Sequence, residues 1–259
     1  MHSPISFLTV YVVVASVATV MTLLWGVRAT ISRAALTARE KRQGLWGGAT
    51  LLVGWFFAAL LPSWLGLYQG APARIPTIEF GLLVPIIAGL VFYWTSPLLR
   101  RITAAAPQSL FVGVQFYRVL GVIFLVLLLD GSMPGVFAAP AGTGDVAVGL
   151  LAPAVAWAFT RGLRGSTGLV RAWNLLGLAD LAVAVTTGFL SSPSPMQLFA
   201  FDNPNTLITA FPLVMIPVFL VPLAVLLHLA SLAKLSQNEA SSHDLSHIIT
   251  ERKASPQLG

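Results

Sequence analysis

Seven long apolar stretches dominate this chain, and they restrict its fold more than any other feature. Each has close to the roughly 20 residues that a helix needs to cross a hydrocarbon core about 30 Å thick. They lie near 7–27, 45–67, 78–98, 109–129, 144–160, 168–190 and 207–231. Backbone polar groups inside a bilayer must bond within the protein, which favours helices over irregular chain. We therefore expect an all-α, polytopic membrane protein with seven transmembrane helices.

The composition supports a membrane protein and excludes several other classes. Hydrophobic residues make up 56% of the chain and charged residues only 9%, whereas soluble domains are about one quarter charged. A net charge of +6 would suit nucleic acid, but the basic residues form short clusters between the apolar stretches instead of one face. We therefore expect the lipid bilayer, and no nucleic acid, as a partner. The absence of cysteine excludes disulfides and thiolate chemistry, and no cofactor or catalytic residue is predicted.

The basic residues also predict the orientation of the chain. Positively charged residues are enriched in cytoplasmic loops, and here twelve of them lie in alternate loops and the tail, against only Arg74 in the others. This pattern predicts an amino terminus outside and a carboxyl terminus in the cytoplasm. Twelve arginines against three lysines indicate a GC-rich bacterial genome, and hence the plasma (inner) membrane. The twelve residues are Arg28, Arg33, Arg39, Lys41, Arg42, Arg100, Arg101, Arg161, Arg164, Lys234, Arg252 and Lys253.

The chain divides into a membrane domain, 1–237, and a tail, 238–259. The tail is polar and rich in Ser and His, which predicts a disordered or loosely helical extension. His243 and His247 have the i, i+4 spacing of a metal chelate, but no further helical ligands accompany them. No metal site is therefore predicted.

Two charged residues lie near the middle of apolar stretches, and they are the best clue to function. Arg118 is in the fourth stretch and Asp180 in the sixth, where a charge costs from roughly 3 kcal/mol to more than 10 and usually has a partner. Gln115 and Gly121 share a helix face with Arg118, and small residues accompany Asp180. Both stretches run in the same direction, so the two charges lie at similar depths. A long guanidinium could join them.

Two further residues compete for this arginine. Asn174 aligns with Arg118 if Tyr117–Gly121 and Trp173–Gly177 are a repeat, and Asp180 then lies about 9 Å further outward. Asp145 follows a Gly-rich segment, 140–144, at the predicted start of the fifth helix, near the outer surface. It either interacts favourably with the helix dipole, with Thr143 as the N-cap, or belongs to a ligand site. The outer loops carry further acidic residues, which predicts an electronegative outer mouth or ordinary solvated loops.

The seventh stretch contains three prolines at five-residue spacing, Pro212, Pro217 and Pro222. Each removes a backbone donor, so we expect a bent helix. The bend is either a hinge or a static feature. His228 is predicted near the cytoplasmic end of this helix.

The topology resembles that of rhodopsins and seven-helix receptors, but a retinal Schiff base needs a lysine within the seventh helix, and none is predicted there. The sequence also lacks HExxH, G-x-S-x-G and P-loop motifs. Three hypotheses stay open. The first is a small transporter or permease for protons or a small polar solute, whose pathway contains Arg118, Asp180, Asp145, Gln115 and Asn174. The second is a sensor or scaffold with a structural ion pair, and the third is a lipid-modifying enzyme that uses Asp145 and Asp180, about 9 Å or more apart in depth.

Overall fold

The protein is helical throughout the residues that the structure, a computed structural model, describes. These are 4–71 and 77–254, with side chains described for 7–71 and 77–238; Arg74 lies outside them. Within these ranges there is no strand, and seven helices are long and apolar enough to span a membrane. A short helix, α4, lies between the third and fourth spans. The helices are α1 Pro4–Arg33, α2 Ala38–Trp64, α3 Ile78–Thr95, α4 Pro97–Ala105, α5 Gln108–Leu129, α6 Gly135–Thr160, α7 Ser166–Ser191 and α8 Val221–Ala254.

The core of the bundle is formed by α1, α2, α5, α6, α7, α8 and the π-helical turn before α8, whereas α3 contributes only Leu82 as a buried residue. Aromatic rings fill one end of this core. Phe124 and Phe137 meet edge to face at 5.1 Å, and Phe219 meets Trp55 at 5.0 Å. Edge-to-face pairs of this kind add to the energy of apolar burial. We call the end that carries Arg33, Arg42, Arg101, Arg161 and Arg164 the Arg-rich end, and the other the opposite end.

The helix α6 begins at Gly135, nine residues before the predicted start of the fifth span. Pro134 precedes it in an extended conformation, and the hydroxyl of Thr143 donates to the carbonyl of Ala139 at 2.7 Å instead of capping a helix. Asp145 is therefore ten residues into α6, about 15 Å from its start. The prediction that Asp145 lies at a helix start near the surface is wrong.

The seventh span also differs from its prediction, because it begins at Ile216, nine residues after the predicted start at residue 207. A π-helical turn, Ile216–Leu220, leads into α8, and Pro212 lies before the helix. Pro217 is in the first turn, where backbone N–H groups have no partner within the helix. The prolines thus help to start the helix, and the span runs Ile216–Asn238. His228 consequently lies in the middle of its span and not near an end.

The helix α5 is interrupted in its middle by a 3-10 segment, Val114–Gly121. A 3-10 helix has three residues per turn, so residues three apart lie directly above one another. Gln115, Arg118 and Gly121 accordingly share one face, and all three are buried. Such a segment inside a longer helix often marks a functional position.

Candidate functional site

Arg118 forms ion pairs with both intramembrane carboxylates. Its Nε and Nη2 each lie 2.7 Å from Oδ1 of Asp145, and Nη2 also donates to Oδ2 of Asp180. Arg118 is only 3% exposed, so these pairs form away from solvent. The expected pairing of Arg118 with Asp180 is present, and Asp145 joins it.

The two carboxylates meet at one nitrogen, so the predicted separation of about 9 Å in depth is wrong. Asp145 is deeper than expected because α6 starts nine residues earlier. Arg118 is further along its span than a regular helix would place it, because the five residues of 3-10 helix from Val114 to Arg118 add about 2.5 Å of rise. Both shifts bring Arg118, Asp145 and Asp180 to one level. We call these three residues the charged centre.

The other side of the guanidinium contacts α7 and α8. Nη1 of Arg118 lies 3.2 Å from Nε2 of His228 and 3.4 Å from the carbonyl oxygen of Gly177. Because arginine can only donate, Nε2 of His228 must accept, which places the imidazole proton on Nδ1. That proton points to Oδ1 of Asn174, 2.9 Å away. Asn174 therefore reaches Arg118 through His228 instead of competing for it directly.

The hydrogen bonds continue from Asn174 towards the Arg-rich end. Nδ2 of Asn174 donates to the hydroxyl of Ser231 at 2.8 Å, and Nε2 of Gln108 donates to the same hydroxyl at 2.5 Å. Gln108 is the first residue of α5, so this chain extends from mid-span to the Arg-rich end. All members beyond Arg118 are at most 3% exposed. We call the whole set the polar column: Asp145, Asp180, Arg118, His228, Asn174, Ser231 and Gln108.

Four glycines let the helices approach closely around the charged centre. A Cβ on Gly121 would fall on Asp145, one on Gly144 on the carboxylate of Asp180, and one on Gly177 on the His228 ring. A Cβ on Gly149 would lie 2.5 Å from the backbone nitrogen of Val119. The Gly-rich segment before Asp145 is thus helical and makes room for the carboxylates. It is not a ligand-binding loop.

Gln115, a predicted site residue, does not join the polar column. It is fully buried, and neither its Nε2 nor its Oε1 has a hydrogen-bond partner among the described residues. Thr187, two turns after Asp180 in α7, donates its hydroxyl to the carbonyl of Val183 in its own helix. Trp173 lies beside the column, with its ring 5.0 Å from that of His228.

A cavity of about 310 Å³ extends from the opposite end of the bundle down to Asp145. A second cavity, of about 30 Å³, contacts Arg118, Tyr117 and Asp145 from the side of α1. Four residues line both: Asp145, Leu181, Ile216 and Val221. The charged centre therefore lies between the larger cavity and the uncharged part of the column.

Three members of the column were not predicted: His228, Ser231 and Gln108. His228 and Ser231 are three residues apart, a spacing that places them on one helix face, but the predicted span put both at its end. Gln108 precedes the predicted start of the fourth span by one residue. Among the described residues there is no group of three or more His, Asp or Glu that could hold a metal ion.

Seven helices that are long and apolar enough to cross a membrane, together with a buried arginine and two carboxylates, suggest a multi-pass helical membrane protein. The chain belongs to the family described as Domain of unknown function (DUF8737), whose model matches residues 75–236. This range includes every member of the polar column. No curated protein and no solved structure matches the chain.

Proposed function

We propose that this protein is a small membrane transporter that moves protons, or a small polar solute, through a site formed by Arg118, Asp145 and Asp180. The observation that carries this proposal is the polar column, because it connects a cavity at one end of the bundle to Gln108 at the other. A soluble-protein core has no need of such a route. In a membrane, buried polar residues of this kind mark ion and proton pathways.

The charge balance of the centre favours protons. With both carboxylates ionised, one guanidinium faces two negative charges, and an uncompensated charge at mid-membrane is expensive. One bound proton removes this excess. Arg118 uses Oδ1 of Asp145 and Oδ2 of Asp180, which leaves one oxygen on each carboxylate to carry it. We assign the proton-carrying role to Asp180.

His228 provides the next step towards the Arg-rich end. An imidazole can accept a proton at one nitrogen and release another from the second. Its Nε2 faces Arg118 and its Nδ1 faces Asn174, so a proton would enter from the charged centre at Nε2. The Nδ1 proton would leave to water towards the Arg-rich end once the ring turns from Asn174, because the carboxamides of Asn174 and Gln108 position the chain but do not pass protons on. Entry requires Nη1 of Arg118 to move away from Nε2, which links proton movement to a rearrangement of the ion pairs.

The direction of the route follows from the predicted orientation. We propose that the Arg-rich end faces the cytoplasm and the amino terminus the outside of a bacterial plasma membrane, so that the cavity opens outwards. Because the chain has no cysteine, single substitutions report orientation directly. Met196→Cys, at the opposite end, should react with a membrane-impermeant maleimide in intact cells, and Leu163→Cys should react only after lysis. The reverse pattern would invert the proposed direction.

The transport proposal is tested in proteoliposomes with an internal pH-sensitive dye and an imposed pH gradient. Wild-type protein should dissipate the gradient faster than empty liposomes, and Asp180→Asn should abolish the difference. Asp202→Asn is the matched control, because Asp202 is exposed at the opposite end. Helicity and thermal unfolding of both variants show that they are folded. Unaltered flux in a folded Asp180→Asn variant would contradict the assignment.

One observation favours a second function, a sensor or scaffold in which the charged centre only fixes helix packing. Each guanidinium nitrogen of Arg118 already has a partner. Removing one member of a buried pair costs about 3–5 kcal/mol, whereas replacing all members by uncharged residues can be nearly neutral. Wild-type protein without proton flux, together with a triple variant, Arg118→Leu with Asp145→Asn and Asp180→Leu, that is folded and as stable as wild type, would support this second function. The lipid-modifying enzyme ranks third, because the guanidinium occupies the point where both carboxylates converge.

A further inference from the structure

We propose that the larger cavity binds a lipophilic cation, a molecule with an apolar body and an ammonium group. The inference rests on the proposed function, because it names a substrate class for the same charged centre. The volume of the larger cavity, about 310 Å³, is at the lower end of the roughly 300–1,000 Å³ that small-molecule sites occupy. A site of this size fits a compact ligand of ten to fifteen heavy atoms as an order-of-magnitude estimate.

The walls of the cavity select an apolar body. They come from α3, α5, α6, α7 and the π turn before α8, and they carry mainly aliphatic and aromatic side chains. A ligand that fills this space exchanges water for apolar surface, which stabilises binding in proportion to the area buried. The principal apolar residues are Leu82, Phe124, Phe137, Leu181, Val185 and Ile216.

The charged residues of the cavity select a cationic head group. Its ionisable carboxyl groups are those of Glu79 and Asp145, and no basic residue lines it within the described part of the chain. Oε1 of Glu79 is buried and has no hydrogen-bond partner among the described residues. An ionised carboxylate only accepts hydrogen bonds, and a ligand with a donor or a positive charge would supply the partner that this oxygen lacks. An acyl chain would leave these oxygens unpaired, and an anion would be repelled.

The position of Asp145 places the cation next to the charged centre. Asp145 lies at the floor of the cavity, and it belongs to a centre with one more carboxylate than guanidinium. An ammonium group at this position removes the same excess negative charge that a proton removes. A cation and a proton therefore compete for the centre, and the protein would exchange one for the other.

Three probes with one apolar cage and different head groups test this inference: 1-adamantylammonium, 1-adamantanol and 1-adamantanecarboxylate. Binding is measured by calorimetry on the full chain in lipid nanodiscs, with empty nanodiscs subtracted. The ammonium should bind, the alcohol should bind at least about tenfold more weakly, and the carboxylate should not bind. Equal binding of the alcohol and the ammonium, or no binding of the ammonium, would overturn the inference.

Matched variants locate the site. Ala184→Phe, on the cavity wall, should abolish ammonium binding, whereas Val183→Phe, on the exposed side of the same helix, should not alter it. Glu79→Gln should weaken binding about threefold, since it removes one of the two negative charges that line the cavity, and Asp202→Asn should not. If Ala184→Phe prevents folding, the comparison of Glu79→Gln with Asp202→Asn still tests the location of the site. Binding that none of these substitutions changes would refute the site.

Proton flux, measured on the same preparations, separates the two proposals. Ammonium binding without wild-type proton flux overturns the proposed transport of protons and leaves the cation site standing. Proton flux that Asp180→Asn abolishes, together with no ammonium binding, overturns the cation site alone.

Discussion

Replacing Gly177 by alanine tests whether close packing of α7 against α8 determines the geometry of the polar column. A Cβ on Gly177 would fall on the ring of His228 and 3.2 Å from Nη1 of Arg118. His228 is fully buried, and the ring of Trp173 lies 5.0 Å from its own. The imidazole therefore has little room to retreat, and the added methyl group must displace it from Arg118, from Asn174, or from both.

The expected magnitude follows from two opposing effects. Overpacking of a filled core costs about 1–3 kcal/mol, while the change from glycine to alanine within a helix gains up to about 1 kcal/mol. The matched controls are Gly168→Ala, near the start of α7, and Gly54→Ala, in the middle of α2. A Cβ at either position has no neighbour within 4 Å. We expect Gly177→Ala to be less stable than these controls by about 1–3 kcal/mol.

The assay is reversible unfolding in mixed micelles, followed by circular dichroism, with proton flux measured on the same variants. The controls should match or exceed wild-type stability and retain flux, whereas Gly177→Ala should lose both stability and flux. Equal stability of Gly177→Ala and the controls would refute the packing argument. A destabilised Gly177→Ala variant with wild-type flux would instead show that the contact between Arg118 and His228 is not part of the route.

Three further predictions concern the column and its supports. Asn174→Leu leaves the Nδ1 proton of His228 without its acceptor, so the free energy of unfolding should fall by about 1–3 kcal/mol. Chemical denaturation measures this loss, and an unchanged midpoint would contradict the hydrogen-bond assignment. Ser231→Ala removes the hydroxyl that accepts from both Asn174 and Gln108, but each amide keeps a backbone carbonyl as its other acceptor. The free energy of unfolding should therefore fall by only about 1 kcal/mol, and proton flux in proteoliposomes should be lower. Wild-type flux would exclude this hydroxyl from the route. Tyr117→Phe removes the hydrogen bond that the phenol donates to the carbonyl of Leu220 at the π turn, 2.9 Å long, and should lower the stability by about 1 kcal/mol. A melting curve that does not move would contradict the contribution of this bond.

Apolar patterning was sufficient to predict seven helices of membrane-spanning length and to single out Arg118 and Asp180, because both depend on the cost of placing polar groups in a bilayer; whether the two residues are in direct contact was left open. It failed at the start of α6. Residues 135–144 are mainly small, and several, including Ala138, Ala141 and Gly142, are buried against other helices. A segment that faces protein instead of lipid does not need large apolar side chains, so hydropathy alone underestimates its length.

The column beyond Arg118 could not be predicted for a related reason. The prolines of the seventh stretch were interpreted as bends within a helix, although Pro212 precedes the helix and Pro217 is in its first turn. This error moved the predicted centre of the span away from His228. The interruption of α5 also has no strong sequence signal, since Val114–Gly121 contains no proline and only one glycine, its last residue. This segment packs mainly against α6, and one sequence does not reveal such packing.

The charge distribution along the column explains why its two halves have different compositions. All formal charges lie in the centre, where Arg118 meets Asp145 and Asp180, and the members towards the Arg-rich end are an imidazole, two amides and a hydroxyl. A second charged group in that half would need its own partner at a similar cost, whereas neutral donors and acceptors can satisfy one another. In the proposed transport, a proton that enters the centre changes its net charge from −1 to 0, and its departure restores the charge. The excess carboxylate would thus make the occupied centre the electrically neutral one, which lowers the cost of holding a proton inside a membrane.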